Sequence, residues 1–285
     1  EARSARLRHL SGSPGAYRSD DRTVSDSADP AGTVARMPEV DAPPTARLRP
    51  PRVVVGGVLT MGVLAVAASA LITREAYDAA GGGTTGRGML LAFVRMGLAG
   101  VLTLPAWRGA RGLAATLPAG TRPRVVAAGA LLGLHFATWL PSLAFTSIAA
   151  SATIVTTVPV WVVLIGWLVW RERPSGRTAL GVAVAMVGGA LVATGEVEGL
   201  APGARPALGN ALALVAAIAY AGHLLLARDV QARGLGLWRW TTIVGGLGAL
   251  SVLPLVLATA PGGGPFPARF WVMAVALCLV SQLVG

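Results

Sequence analysis

From Val53 onward the sequence is a series of apolar blocks, each about 20 residues long, parted by short polar or arginine-bearing segments. A helix of that length crosses the ~30 Å hydrocarbon core of a bilayer. Eight blocks are present, at approximately 53–72, 89–107, 125–146, 148–170, 178–195, 207–227, 238–259 and 270–285. Charged residues make up 13% of the chain and hydrophobic ones 54%, where a soluble domain carries about 25% charged. The expected fold is therefore an all-α, multi-pass integral membrane protein.

The arginines set its orientation. The chain contains no lysine. With the N-terminus in the cytoplasm, the segments on that side carry Arg47, Arg49, Arg52, Arg108, Arg111, Arg122, Arg124, Arg171, Arg173, Arg177, Arg228, Arg233 and Arg239. The opposite side receives Arg74, Arg87, Arg205 and Arg269, so the positive-inside bias is 13 to 4 and the alternation never breaks. The same positioning explains the net charge of +11 without nucleic acid. Residues 1–52 hold nine Arg against seven Asp and Glu and lack aromatic–basic interleaving. Residues 1–50, rich in Ser, Asp, Pro, Ala and Arg with no hydrophobic period, read as a disordered cytoplasmic tail.

Val53 lies too far in to begin a secretory signal peptide. The one cysteine, Cys278, falls in an apolar block, so no disulfide framework is expected. The lack of an initiator Met and the ending at Gly285 inside an apolar run suggest a fragment of a longer product.

Two stretches imitate ligand motifs. GGGTTGRG at 81–88 resembles a phosphate-binding loop, but Arg87 and Gly88 stand where Lys and Ser/Thr would hold phosphate and magnesium, and no strand precedes it. It is expected to be a flexible external loop. DDRTVSD at 20–26 has the wrong spacing for a metal-binding aspartate loop. No metal site and no cofactor are expected.

Polar groups inside the spans carry more meaning, since their burial in lipid is costly and marks cavities and pathways. Span 2 contains Arg95. Span 3 places His135, Trp139 and Ser142 on one helical face, at i, i+4 and i+7. His135, with an ordinary pKa of about 6.5, could also couple protons. Span 4 offers Thr153, Thr157 and Trp161 on one face, beside Ser151 and Thr156; hydroxyls bonding back to their own helix are the competing account. Span 6 has Tyr220 and His223, and span 8 has Gln282. Convergence of such groups from several helices suggests a central cavity. Pro159 interrupts span 4 and is expected to bend it, while Arg171, Glu172 and Arg173 fix its lower end at the cytoplasmic surface. Spans 3 and 4 form a tight hairpin around Thr146–Ser147, and Pro174 suits the first turn of span 5. Gly181, Ala185 and Gly189 form a small-residue stripe suited to close helix packing.

The stretch from Gly133 to Gly195 resembles spans 3–5 of EamA-type transporters of the drug/metabolite transporter superfamily. The features that carry the likeness are a small-residue and Ser/Thr-rich hairpin, Pro159 within span 4, Glu172–Arg173 at its end and a Gly-rich span 5. GNALALVAAIAYAGHLLLARDV at 209–230 resembles the first helix of that family's second repeat, and VSQLVG the middle of its third. The resemblance covers roughly 53–285. It implies two inverted five-helix repeats, ten spans in all, moving small molecules by alternating access. The first repeat would be 53–195, and 207–285 an incomplete second repeat of three spans, which alone would not complete a pathway. Two further spans downstream, the first with a proline and a terminal Glu near arginines, would complete the pattern.

The function expected is transport of small metabolites, with export the direction expected, across the cell membrane. The partners expected are a small-molecule substrate, the lipid bilayer and, in a homodimer, a second copy; nucleic acid is not among them. A non-transporting sensor or assembly protein is the alternative, predicting no cavity across the bundle. A lipid-modifying enzyme fits less well, because the spans hold almost no Asp or Glu. Glu172 and Asp229 sit at span ends beside arginines, and five residues separate His223 from Asp229, against four in the acyltransferase His–Asp motif.

Overall fold

The computed structural model describes residues 51–108, 117–193, 205–259 and 265–280. The 1–50 tail, with DDRTVSD in it, and Gln282 lie outside the described residues. The described chain is helical: α1 (Arg52–Ala79), α2 (Thr85–Leu102), α3 (Arg122–Phe145), α4 (Ile148–Val155), α5 (Val158–Trp170), α6 (Gly176–Ala193), α7 (Pro206–Ala232), α8 (Leu237–Thr259) and α9 (Ala268–Cys278), with a 3-10 turn at Leu104–Trp107. Six segments are long and apolar enough to span a bilayer, α4 and α5 counting as one, and α6 and α9 are shorter apolar helices. The chain is an all-α, multi-pass membrane protein.

Local chemistry sets the element ends. Thr84 caps α2, its Oγ1 accepting from Arg87 N at 3.2 Å. Ser147 caps α4 by accepting from Ala150 N at 3.1 Å. GGGTTGRG is thus not a free loop. Gly81 and Gly82 make a turn with φ of 81° and 115°, and Thr85–Gly88 is already the first turn of α2. Arg87 Nη1 donates back to the Gly82 carbonyl, and Gly88 is buried. Pro174 does not start a helix: Ser175 follows it and caps α6, accepting from Thr178 N at 3.2 Å.

Span 4 is broken rather than bent. A proline ring clashes with the carbonyl four residues earlier, here Val155, the residue on which α4 ends. Thr156 and Thr157 form a turn, and Pro159 falls in the first turn of α5, where its missing N–H costs nothing. Pro141 and Pro254 remain inside α3 and α8 without such a break.

α3 is the hub of the bundle. It packs along α7, and also on α8 and α2; α2 lies on α8, α9 covers parts of α1 and α2, and α4 and α5 lie on α7. Glycines bring the backbones together, though not those of span 5. A Cβ on Gly245 would stand 2.9 Å from the Met96 carbonyl, and one on Gly133 2.9 Å from the Gly248 carbonyl. Of the small-residue stripe in α6, Gly189 is half-buried, its face meeting Thr153, while Gly181 and Ala185 are exposed, the main packing of α6 being on α4 and α5. Small residues permit close approach, but a stripe pairs only where a neighbour lies along it. The apolar outer faces of α1 and α6, such as Val63 and Leu180, are left for lipid.

Candidate functional site

A cavity of about 250 Å³ lies among α1, α2, α3, α7 and α8. Five sequence-chosen residues line it: Arg95 from α2, His135 and Trp139 from α3, and Tyr220 and His223 from α7. Arg95, His135, Trp139 and His223 are each 4–6% exposed. The cavity continues past Ala227 to Gln231, Leu237 and Thr241, toward the end of the bundle that carries Arg228, Arg233 and Arg239.

Its wall is a column of stacked rings. Trp139 stacks on His135 at a centroid distance of 5.6 Å, His135 on Tyr220 at 4.6 Å, and Tyr220 on His223 at 5.7 Å. Trp240 of α8 extends the column, 5.6 Å from His223. Arg95 lies over the Phe136 ring, its guanidinium carbon 4.1 Å from the centroid and 6.0 Å from that of Trp139. An arginine at membrane depth costs about 2.5–3.5 kcal/mol on insertion scales, and a desolvated cation–π contact returns about 2. The aromatic bed therefore offsets much of the cost of holding a cation there.

Both histidines are oriented by backbone. His135 Nδ1 lies 2.9 Å from the Ala216 carbonyl of α7, and His223 Nδ1 lies 2.9 Å from the Ala128 carbonyl of α3. A carbonyl only accepts, so Nδ1 carries the hydrogen in each ring and Nε2 is the acceptor of the neutral imidazole.

Other sequence-chosen residues fall elsewhere. Ser142 and Ser151 are buried and bonded to each other at 2.7 Å, joining α3 to α4. Ser142 also donates to the Trp139 carbonyl. Thr153 and Thr157 line a separate apolar groove with Met186 and Gly189 of α6. Thr157 bonds back to the Ile154 carbonyl and accepts from Trp161 Nε1 at 3.1 Å. Arg171 ends α5 in the left-handed conformation, with φ of 57°, and Glu172 N closes on the Gly166 carbonyl at 3.2 Å. The Glu172 carboxylate then takes a two-pronged bond from Arg228 of α7, at 3.0 and 2.7 Å.

Phe136, Trp240, Gln231 and Thr241 also line the cavity and were not singled out in the sequence. Trp240 carried a usable signal, a tryptophan at the start of an apolar block. Phe136 follows His135 directly, so helical spacing alone puts it on another face.

A larger groove of about 680 Å³ runs between Trp107, Arg122, Val125, Thr242 and Leu247. It is nearly all apolar and its rim includes the exposed Val126, so it is a lipid-facing surface feature rather than a polar site. Among the described residues no three His, Cys, Asp or Glu side chains cluster as metal ligands would. The central cavity can bind and orient a small molecule through a buried cation, indole and imidazole groups and flat apolar surface.

The family model described as EamA-like transporter family matches residues 53–194, that is α1 to α6. No curated protein and no solved structure matches the chain. With a bundle of membrane helices around a polar cavity, three of whose helices lie within the matched segment, the chain belongs through residues 53–194 to the EamA-like transporter family.

Proposed function

We propose that the protein moves small metabolites across the cell membrane by alternating access, with the cavity at Arg95 and the aromatic column as the substrate site, and that it works as an exporter. The observation that carries this is the cavity itself, whose buried polar groups come from both halves of the chain: α2 and α3 on one side, α7 and α8 on the other. Its extension toward the arginine-bearing end suits loading from the cytoplasm.

Helix pairing supports a two-repeat reading, with 53–195 as one repeat and 207–285 as part of an inverted second. If α1, α2 and α3 correspond to α7, α8 and α9, each pairing between the two sets has its counterpart. α3 on α7 matches α9 on α1, α3 on α8 matches α9 on α2, and α2 on α8 maps onto itself. Alternating access needs such an exchange of equivalent packings around a fixed site. The family is one of transporters.

The test is flux. The full-length protein in liposomes should move at least one compound of a metabolite panel, and Arg95→Ala and His135→Ala should reduce that flux with membrane insertion intact. Absence of protein-dependent flux for every compound would refute the proposal.

A further inference from the structure

The cavity's lining discriminates by charge and shape. Arg95 is its cation, and among the described lining residues there is no Asp or Glu. Arg95 sits over the Phe136 ring, its guanidinium carbon 4.1 Å from the centroid, and a guanidinium presents its five N–H donors in the plane of a fork that matches a carboxylate. Trp139 makes an independent demand. Its Nε1, in a side chain 4% exposed, has no hydrogen-bond partner, and a buried indole N–H ordinarily finds one. Both groups are donors at the same end of the ring column, and the volume of about 250 Å³ is below the roughly 300–1,000 Å³ of sites for drug-sized ligands.

We infer that the substrate is a small organic anion with a flat aromatic body. Its carboxylate, or a comparable oxyanion, accepts from Arg95 and Trp139 Nε1, and its ring lies along the column from His135 to Trp240. A carboxylate matches the fork of an arginine and gains from a charge-assisted bond. An ammonium group would meet a like charge with no carboxylate to receive it, so amines and zwitterions with the same ring are disfavoured. The inference rests on the cavity being the transporter's substrate site.

The test compares four probes on the purified full-length protein in nanodiscs by titration calorimetry: phenylacetate, phenylalanine, phenethylamine and acetate. Phenylacetate is expected to bind at least about tenfold more tightly than each of the others, a difference of about 1.4 kcal/mol. Arg95→Gln should remove the preference for the anion. Trp139→Phe, which keeps the ring and removes the N–H, should weaken phenylacetate several-fold, so the inference remains testable even if the arginine variant does not fold. Equal affinity for phenethylamine and phenylacetate would overturn it, as would acetate binding as well as phenylacetate, or phenylacetate affinity unchanged in both variants. Binding of the aromatic anion without flux of any compound would remove the transport reading and leave this one standing. Flux of other compounds with no phenylacetate binding would do the reverse.

Discussion

His135 on α3 and His223 on α7 reach across one interface in opposite directions, each Nδ1 placed 2.9 Å from a backbone carbonyl of the other helix. The two rings are bridged by Tyr220, which stacks on both. The pair thus fastens α3 to α7 while it builds the cavity wall, and one substitution should disturb both roles. Neither carbonyl is stranded by losing its histidine, because each still belongs to its own helix ladder. The expected cost of His135→Ala or His223→Ala is therefore modest, about 1 kcal/mol for the bond, plus whatever stacking is lost. Since both rings share Tyr220, the double variant should depart from additivity. Thermal unfolding of the two single variants and the double variant in detergent checks this; strictly additive shifts would show that the rings act separately.

Gly133 argues a second point, about packing. A Cβ there would run into Ser251 Oγ and would stand 2.9 Å from the Gly248 carbonyl. The serine could be removed, but the carbonyl is backbone and cannot rotate away. Gly133→Ala should destabilise by about 1–3 kcal/mol, the usual range for overpacking, and Ser251→Ala should restore only part of it. Full restoration would mean that the α3–α8 distance is set by the serine and not by backbone contact.

At the arginine-bearing end, Arg228 forks onto Glu172 while the next residue, Asp229, holds Arg124 at 3.3 Å and Arg233 at 3.4 Å. One end of α7 is thereby tied to the end of α5 and the start of α3. Side-chain exposures of 50% and 55% for Glu172 and Arg228 place this pair in the class worth about 1 kcal/mol or less. A double-mutant cycle on Glu172→Gln and Arg228→Gln should return a coupling no larger than that, shrinking as salt is raised. A coupling of several kcal/mol would mean that the pair is desolvated in the membrane-embedded protein.

The sequence exposed the helices and concealed their partners, for a physical reason. A membrane span needs only a run of apolar residues of sufficient length, a one-dimensional property, so the helical bundle could be read from Val53 onward. Arg95, His135, Trp139, Tyr220 and His223 were legible because a polar group in such a run is costly. Where each side chain points depends on which helix lies opposite. Ser142 and Ser151 found each other across the hairpin, Thr153 and Thr157 turned to the α6 groove, and Phe136 became the bed for Arg95. The small-residue stripe of span 5 was visible but faces outward at Gly181 and Ala185, whereas Gly133 and Gly245, less regular in their setting, make the close contacts. Span 4 shows the same limit. Pro159 announced a disturbance, but whether a proline bends, breaks or leaves a helix intact depends on surroundings, as Pro141 and Pro254 show by remaining inside α3 and α8.

At the end of the bundle away from Arg228 and Arg233, α1, α2 and α3 close on one another around Tyr77. Fully buried, Tyr77 donates from its hydroxyl to the Leu140 carbonyl at 2.6 Å. Gly88 of α2 fits beneath it: a Cβ there would lie 2.7 Å from Tyr77 Oη and 2.8 Å from both Cγ and N of Pro141. Arg74 adds a bond to the Thr146 carbonyl at 3.3 Å, and Arg269 pairs with Glu75. In an alternating-access cycle this closure must release when the other end shuts. Gly88→Ala wedges α2 from α3 without touching the cavity lining, so it should bias the protein away from this closed arrangement. Leu143, fully buried nearby on α3, gives the readout. In a Cys278→Ala background, Leu143→Cys should be nearly inert to a membrane-impermeant thiol reagent applied from this side, and adding Gly88→Ala should raise the labelling rate several-fold. Tyr77→Phe, which loses one buried hydrogen bond worth about 1 kcal/mol, should raise it less. If neither substitution changes the labelling of Leu143→Cys, the contacts around Tyr77 are a permanent part of the scaffold and the gate lies elsewhere.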